Sequence, residues 1–181
     1  MTDSAPPHFR YHPDPVDSGA FEEVTFTCAC CSKVRSWRYR LPAYGTSDLR
    51  DSLCPWCIAD GSAAARFDLV FTDLHDTWDP EVDLGVREEI ERRTPGFSGW
   101  QQERWLFHCG DAAAYVGSGG WGDVRDLPGA VADLRAQVAD WGFDDEEIDA
   151  FVESLDVDAS PVAHIFGCLA CGRHLAYADL D

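Results

Sequence analysis

Three Cys-x-x-Cys pairs, Cys28/Cys31, Cys54/Cys57 and Cys168/Cys171, constrain this chain more than any other feature. Two sulfurs spaced this way form half of a tetrahedral thiolate site, and such sites select zinc, which brings no redox chemistry of its own. Between Cys31 and Cys54 lie 22 residues, close to the interval of four-cysteine zinc sites. The spacing predicts a first Zn2+ held by Cys28, Cys31, Cys54 and Cys57, because pairs near in sequence close the smallest loop. A second Zn2+ would take Cys109, Cys168 and Cys171, with a fourth ligand from His108 or His174. Neighbouring side chains point apart in regular structure, so His108 and Cys109 could share an ion only on an irregular backbone. Cys30, inside the first pair, is surplus and is expected to face away from the metal.

Around these pairs the sequence predicts hairpins. Val24 to Thr27 alternates and is β-branched, Ser32-Lys33 makes a turn, and Val34 to Arg40 has strand chemistry, giving a hairpin with a knuckle at its tip. Val162 to Phe166 and Leu175 to Tyr177 flank a second knuckle at Cys168 to Gly172. A short helix opens at Cys54-Pro55-Trp56-Cys57 and runs to Phe67, since proline suits a first helical turn. A knuckle followed by a ligand pair at a helix start is the treble-clef arrangement.

Elsewhere helices dominate the reading. Asp79-Pro80 opens one carrying Val82, Val86 and Ile90 and ending before Pro95. Ser98 and Gln101 form a capping-box pattern that favours a helix across Gly96 to Cys109, and Asp111 caps a further turn through Val116. Gly117 to Gly122 reads as a loop. Val131, Leu134, Val138 and Trp141 share one stripe, and Asp144 with Glu147 caps a helix with Ile148, Phe151, Val152 and Leu155 on its apolar side. The sum is an α+β fold: zinc-knuckle β-hairpins of treble-clef type and a small antiparallel sheet, packed by four or five helices. One domain is expected over residues 1–181, with an N-terminal knuckle-and-helix unit (20–70), a mainly helical part (79–157) and a C-terminal knuckle hairpin (160–181).

Charge narrows the function. Lys+Arg 14 against Asp+Glu 33 leaves −19, a surface that repels nucleic acids and anionic membranes and attracts basic proteins. Met1 to Pro15 has four prolines and no apolar run of the secretory kind, and no stretch is long enough to span a bilayer, so the cytoplasm is expected. There, cysteines serve as metal ligands or redox groups, not disulfides.

Pro55-Trp56 between two cysteines resembles a redoxin centre, which would make Cys54 and Cys57 a thiol oxidoreductase, yet no βαβ pattern surrounds it. His108-Cys109-Gly110-Asp111 could supply thiolate, base and carboxylate, although such groups normally meet through the fold and not as neighbours. Cys109, Cys168 and Cys171 alone would leave an open zinc position for a hydrolytic enzyme, with His108 or Asp111 as base. The His-x-Glu element of zinc deaminases and the H-E-x-x-H protease motif are absent. Trp100, Arg104 and Trp105 could form an exposed contact patch, against core packing as the ordinary fate of tryptophan. His12, between Tyr11 and Pro13, reads as a turn residue.

Phe9-Arg10-Tyr11-His12-Pro13-Asp14-Pro15, the run Leu53 to Ala64 around Cys54-Pro55-Trp56-Cys57, Arg93-Thr94-Pro95-Gly96-Phe97 with Trp100-Gln101-Gln102-Glu103, His108-Cys109-Gly110-Asp111 and the terminal knuckle together resemble the CbrC-like bacterial family, a colicin-tolerance group. The resemblance runs from residue 9 to the C-terminus. It implies an intracellular cysteine-rich protein linked to bacteriocin tolerance and carries no catalytic residues. The function expected is a non-enzymatic binding module with an immunity-like role against a basic partner.

Overall fold

The computed structural model describes residues 5–46, 48–75 and 78–181; Met1 to Ser4, part of the proline-rich opening, lie outside them. The chain is α+β, with seven strands and six helices among the described residues, more helices than the four or five expected. It divides into two compact units. One takes in the described residues up to Ser98 with Glu103–Trp105, the other Gly99–Gln102 with Leu106–Asp181.

In the first unit β1 (Phe21–Thr27) and β2 (Val34–Tyr39) form an antiparallel hairpin with an irregularity between Glu23 and Phe26. Two short helices follow, α1 (Pro55–Ala59) and α2 (Ser62–Phe67), where the sequence suggested one. Gly61 separates them at φ +76°, a conformation that glycine adopts without penalty. Helix α3 (Leu84–Arg93) begins later than expected. Asp83 caps it by accepting from Gly85 N, while Asp79 accepts from Glu81 N in a turn of its own.

The unit's interior is aromatic. Phe9 meets Phe21, Phe21 meets Tyr39, and Tyr39 meets Phe71, with ring centroids 5.6, 5.9 and 5.4 Å apart. Trp105 is 1% exposed, packed in the core as tryptophan ordinarily is, with its ring tilted against Phe97 at a centroid distance of 5.7 Å. With Trp105 buried, an exposed patch that includes it does not form; Trp100 itself is exposed.

His12 is a buried tether and not a turn residue. One ring nitrogen, Nδ1, lies 2.9 Å from the Pro95 carbonyl, and Nε2 lies 2.7 Å from Ser18 Oγ. Burial pulls its pKa down to about 4, against the Pro95 carbonyl and Asp14, which favour the charged form. The folded protein therefore holds this ring neutral, whereas the unfolded chain takes up a proton near 6.5. The stability this contributes is complete above pH 6.5 and is lost as the pH falls toward 4. The loss is on the order of 3 kcal/mol. Guanidinium unfolding at pH 7 and at pH 4 should show a shallower pH dependence for His12→Asn than for the wild type by roughly this amount.

The second unit is built on a three-stranded antiparallel sheet in the order β5 (Ala114–Gly119), β6 (Val162–Gly167), β7 (His174–Asp179). One face carries Ala163, Ile165, Ala176 and Ala178. These pack on Leu134 and Val138 of α5 (Pro128–Ala139) and Ile148 and Val152 of α6 (Asp145–Glu153). The capping box of Asp144 and Glu147 forms as expected. On α5 the buried stripe is Ala130, Leu134 and Val138, while Trp141 lies beyond the helix and is exposed. Short strands β3 (Phe107–His108) and β4 (Asp111–Ala112) form a minimal hairpin, and α4 (Trp121–Val124) occupies part of the expected glycine loop.

Two helices anticipated between Gly96 and Val116 are absent. The N–H groups of Trp100 and Gln101 donate to the Asp179 carboxylate at 2.6 and 3.1 Å, so the donors of a first helical turn are satisfied elsewhere. Asp111 opens the strand β4 and accepts from Ala112 N, so it stands in a hairpin and not at a helix start. Cys109 and Gly110, at φ +55° and +73°, make the two-residue turn whose central positions both require positive φ.

Candidate metal centres

The two hairpin knuckles share one backbone plan. In the first, Cys28 N donates to Lys33 O and Ser32 N to Cys28 O. In the second, Cys168 N donates to Arg173 O and Gly172 N to Cys168 O. The residue after each second cysteine is left-handed, Ser32 at φ +57° and Gly172 at +74°. That turn brings both sulfurs of a pair to one side of the loop.

In the first unit the knuckle meets the start of α1, where Cys54 is the N-cap and Pro55 the first helical residue. Ligand atoms of Cys28, Cys31, Cys54 and Cys57 all lie within 4.8 Å of one another. Cys28 Sγ and Cys57 Sγ are 4.0 Å apart. Four sulfurs at 2.3 Å from a tetrahedral zinc would be separated by about 3.8 Å, so the set fits the ion. Cys28, Cys54 and Cys57 are buried. The Cys54 thiol, hydrogen-bonded to Cys28, holds Cys28 down to about 4, and that bond together with burial pushes Cys54 far above the usual thiol range. Burial also raises Cys57, to about 12. Cys30 is buried with its Sγ 3.5 Å from Ser62 Oγ and is not in the set, although its thiol also hydrogen-bonds Cys57 and so does not face away from it.

The second set is His108, Cys109, Cys168 and Cys171, again with ligand atoms within 4.8 Å of one another. Nδ1 of His108 lies 3.2 Å from Cys109 Sγ and 3.5 Å from Cys171 Sγ. Of the two histidines left open by the sequence, His108 joins the sulfurs; His174 sits in β7 opposite Gly167 and is not in the group. The irregular backbone needed for adjacent ligands is present, because left-handed Cys109 turns its side chain to the same side as His108. Cys168 is buried, whereas Cys109 and Cys171 are exposed. Burial works to raise Cys168, but backbone N–H groups of Cys171 and Ala170 and the His108 ring draw it down to about 6. No local signal separates His108 from His174, because Cys-Gly is not one of the dipeptides that mark a two-residue hairpin turn.

A family model described as "Uncharacterised protein family (UPF0167)" matches residues 6–180. The chain belongs to UPF0167. UPF0167 protein Mb2317 of Mycobacterium bovis and UPF0167 protein MT2352 of Mycobacterium tuberculosis are each 47% identical to it, over 96% of this chain and 92% of theirs. UPF0167 protein PA1536 of Pseudomonas aeruginosa is 41% identical over 97% of this chain and 96% of its own. No solved structure matches. These findings correct the family read from the sequence: the matching model and these relatives carry the UPF0167 name and not the CbrC label. The bacteriocin-tolerance role rested on that label and falls with it. Among the described residues of this UPF0167 chain, no helix is long and apolar enough to cross a membrane.

Proposed function

We propose that this protein is a zinc-structured binding protein whose two metal centres fix its hairpins and whose acidic surface recruits a basic protein. The observation that carries the metal part is the convergence of four soft ligands at each of two places, drawn from segments far apart in sequence. Cys28, Cys31, Cys54 and Cys57 form a treble-clef-like centre, with a knuckle supplying two ligands and a helix start the other two. His108, Cys109, Cys168 and Cys171 form the second. Four protein ligands make a closed shell, which is the structural and not the catalytic form of zinc. His108 as fourth donor therefore weighs against an open, hydrolytic zinc at Cys109, Cys168 and Cys171. Reduced thiols on this scale suit the cytoplasm.

The charge of −19 supports the partner. Long-range attraction to a cationic surface gives fast, salt-sensitive association. Purified protein should contain two zinc ions per chain by elemental mass spectrometry. Capture from a bacterial lysate should retain a basic protein at 50 mM salt and release it by about 300 mM, where screening shortens the reach of surface charge. A zinc content below one per chain would overturn the metal reading. Retention of no basic protein at low salt would overturn the partner reading alone.

A further inference from the structure

The face of the β5–β6–β7 sheet turned away from α5 carries a buried polar chain that neither zinc centre uses. His164 lies opposite Ser118 on β5 and opposite Tyr177 on β7. Its Nδ1 is 3.0 Å from Ser118 Oγ, and its Nε2 is 3.2 Å from Asp179 Oδ2. Asp179 can only accept when ionised, so Nε2 carries the ring proton of neutral His164 and Nδ1 presents a lone pair to the serine hydroxyl. Asp179 is fixed in turn by the N–H groups of Trp100 and Gln101. Gly99 allows that backbone to close over the carboxylate, since a Cβ there would sit 2.8 Å from Asp179 Oδ2 and 3.3 Å from His164 Nε2.

The outer end of the chain is open. His164 and Asp179 are 1% and 4% exposed, whereas Ser118 is an exposed residue on the edge strand. Tyr115 adds a donor, with its phenol oxygen 2.9 Å from Ser118 Oγ. Burial raises the Tyr115 phenol to about 12, so it keeps its proton at neutral pH. Burial likewise lowers the His164 pKa and keeps the ring neutral, the form that accepts a proton.

We propose that Ser118, His164 and Asp179 form an acyl-transfer triad, with Ser118 as nucleophile toward carboxylic esters. Oγ attacks the ester carbonyl carbon, forming a C–O bond as its proton passes to Nδ1 of His164. Collapse breaks the ester C–O bond, and the same proton leaves with the alkoxide as an alcohol. Water then attacks the acyl-serine, gives one proton through His164 back to Oγ, and releases the carboxylic acid. The Tyr115 hydroxyl faces the charge that develops beside Oγ. Asp179 is a positioning residue that holds the tautomer. The net charge of −19 disfavours anionic acyl donors, so the substrate is a neutral or basic ester.

The test treats the intact, metal-loaded protein with an alkyl fluorophosphonate, which forms a P–O bond to a reactive serine and expels fluoride. Intact-mass spectrometry should show one adduct per chain, and peptide mapping should place it on Ser118. Ser118→Ala, at an exposed position, should fold with unchanged near-ultraviolet dichroism and lose the adduct. Asp179→Asn is nearly isosteric and keeps an oxygen acceptor for one of the two backbone N–H groups, while its amide favours the wrong ring tautomer. It should therefore lower kcat for p-nitrophenyl acetate by roughly 100-fold or more with little change in KM. Absence of labelling in the wild type, or equal labelling of Ser118→Ala, would overturn the proposal. A fall in Asp179→Asn that tracks only loss of folded protein would remove the role given to Asp179.

Discussion

Cys54→Ser protein is expected to lose one zinc per chain and to leave the first unit unfolded at neutral pH. A structural zinc contributes roughly 10–16 kcal/mol in small zinc peptides, against a total stability of about 5–15 kcal/mol for a typical domain. Cys54 is fully buried and stands between the knuckle and α1, so a hydroxyl there both weakens the metal and strands a polar group. Cys30→Ser is the matched comparison. Cys30 is also buried but lies outside the ligand set, and its replacement should destabilise by only about 1–2 kcal/mol with zinc retained. Guanidinium unfolding followed by tryptophan fluorescence, with zinc analysis on each variant, separates the two. Equal losses in both would mean that packing, and not the ion, holds this unit.

Leu134→Ala should destabilise the second unit by about 2–5 kcal/mol, in the upper part of that range. Leu134 is fully buried on α5 and packs on a sheet face made largely of alanine, at positions 163, 176 and 178. Alanines offer nothing that can swing into the space a leucine leaves, so the cavity stays open. The helix cannot simply settle closer either. Gln137 fastens it to the outer edge of β7 by donating to Ala178 O at 3.0 Å and accepting from Ala178 N at 2.7 Å. Denaturant unfolding, with exposed Val157→Ala as the control, measures the effect.

What the sequence disclosed follows from how local each signal is. The knuckles and the helix start at Cys54 were legible because their spacing is written within a few residues. Helix α6 was legible because its capping box and apolar stripe coincide. The segment from Gly96 to Val116 was not. Its capping pattern is genuine as a pattern, but a carboxylate 79 residues away takes the Trp100 N–H, and no periodicity records that competition. His108 could not be separated from His174 until the turn at Cys109-Gly110 was known. The polar chain from Tyr115 to Asp179 was equally hidden, because its members come from all three strands of the sheet and are united only by register.

That register contains one irregularity, at Val116, where β5 takes two steps while β6 takes one. Gly117 accommodates it at φ +150°. Pleated strands sort side chains by odd and even count, so Tyr115 and Ser118 would ordinarily project to opposite sides. The supernumerary residue changes the parity of the count and puts both hydroxyls in one line with His164. Which groups meet on this sheet is thus decided by a number of backbone units, and a chain shortened there by one would keep every reactive side chain yet lose their encounter.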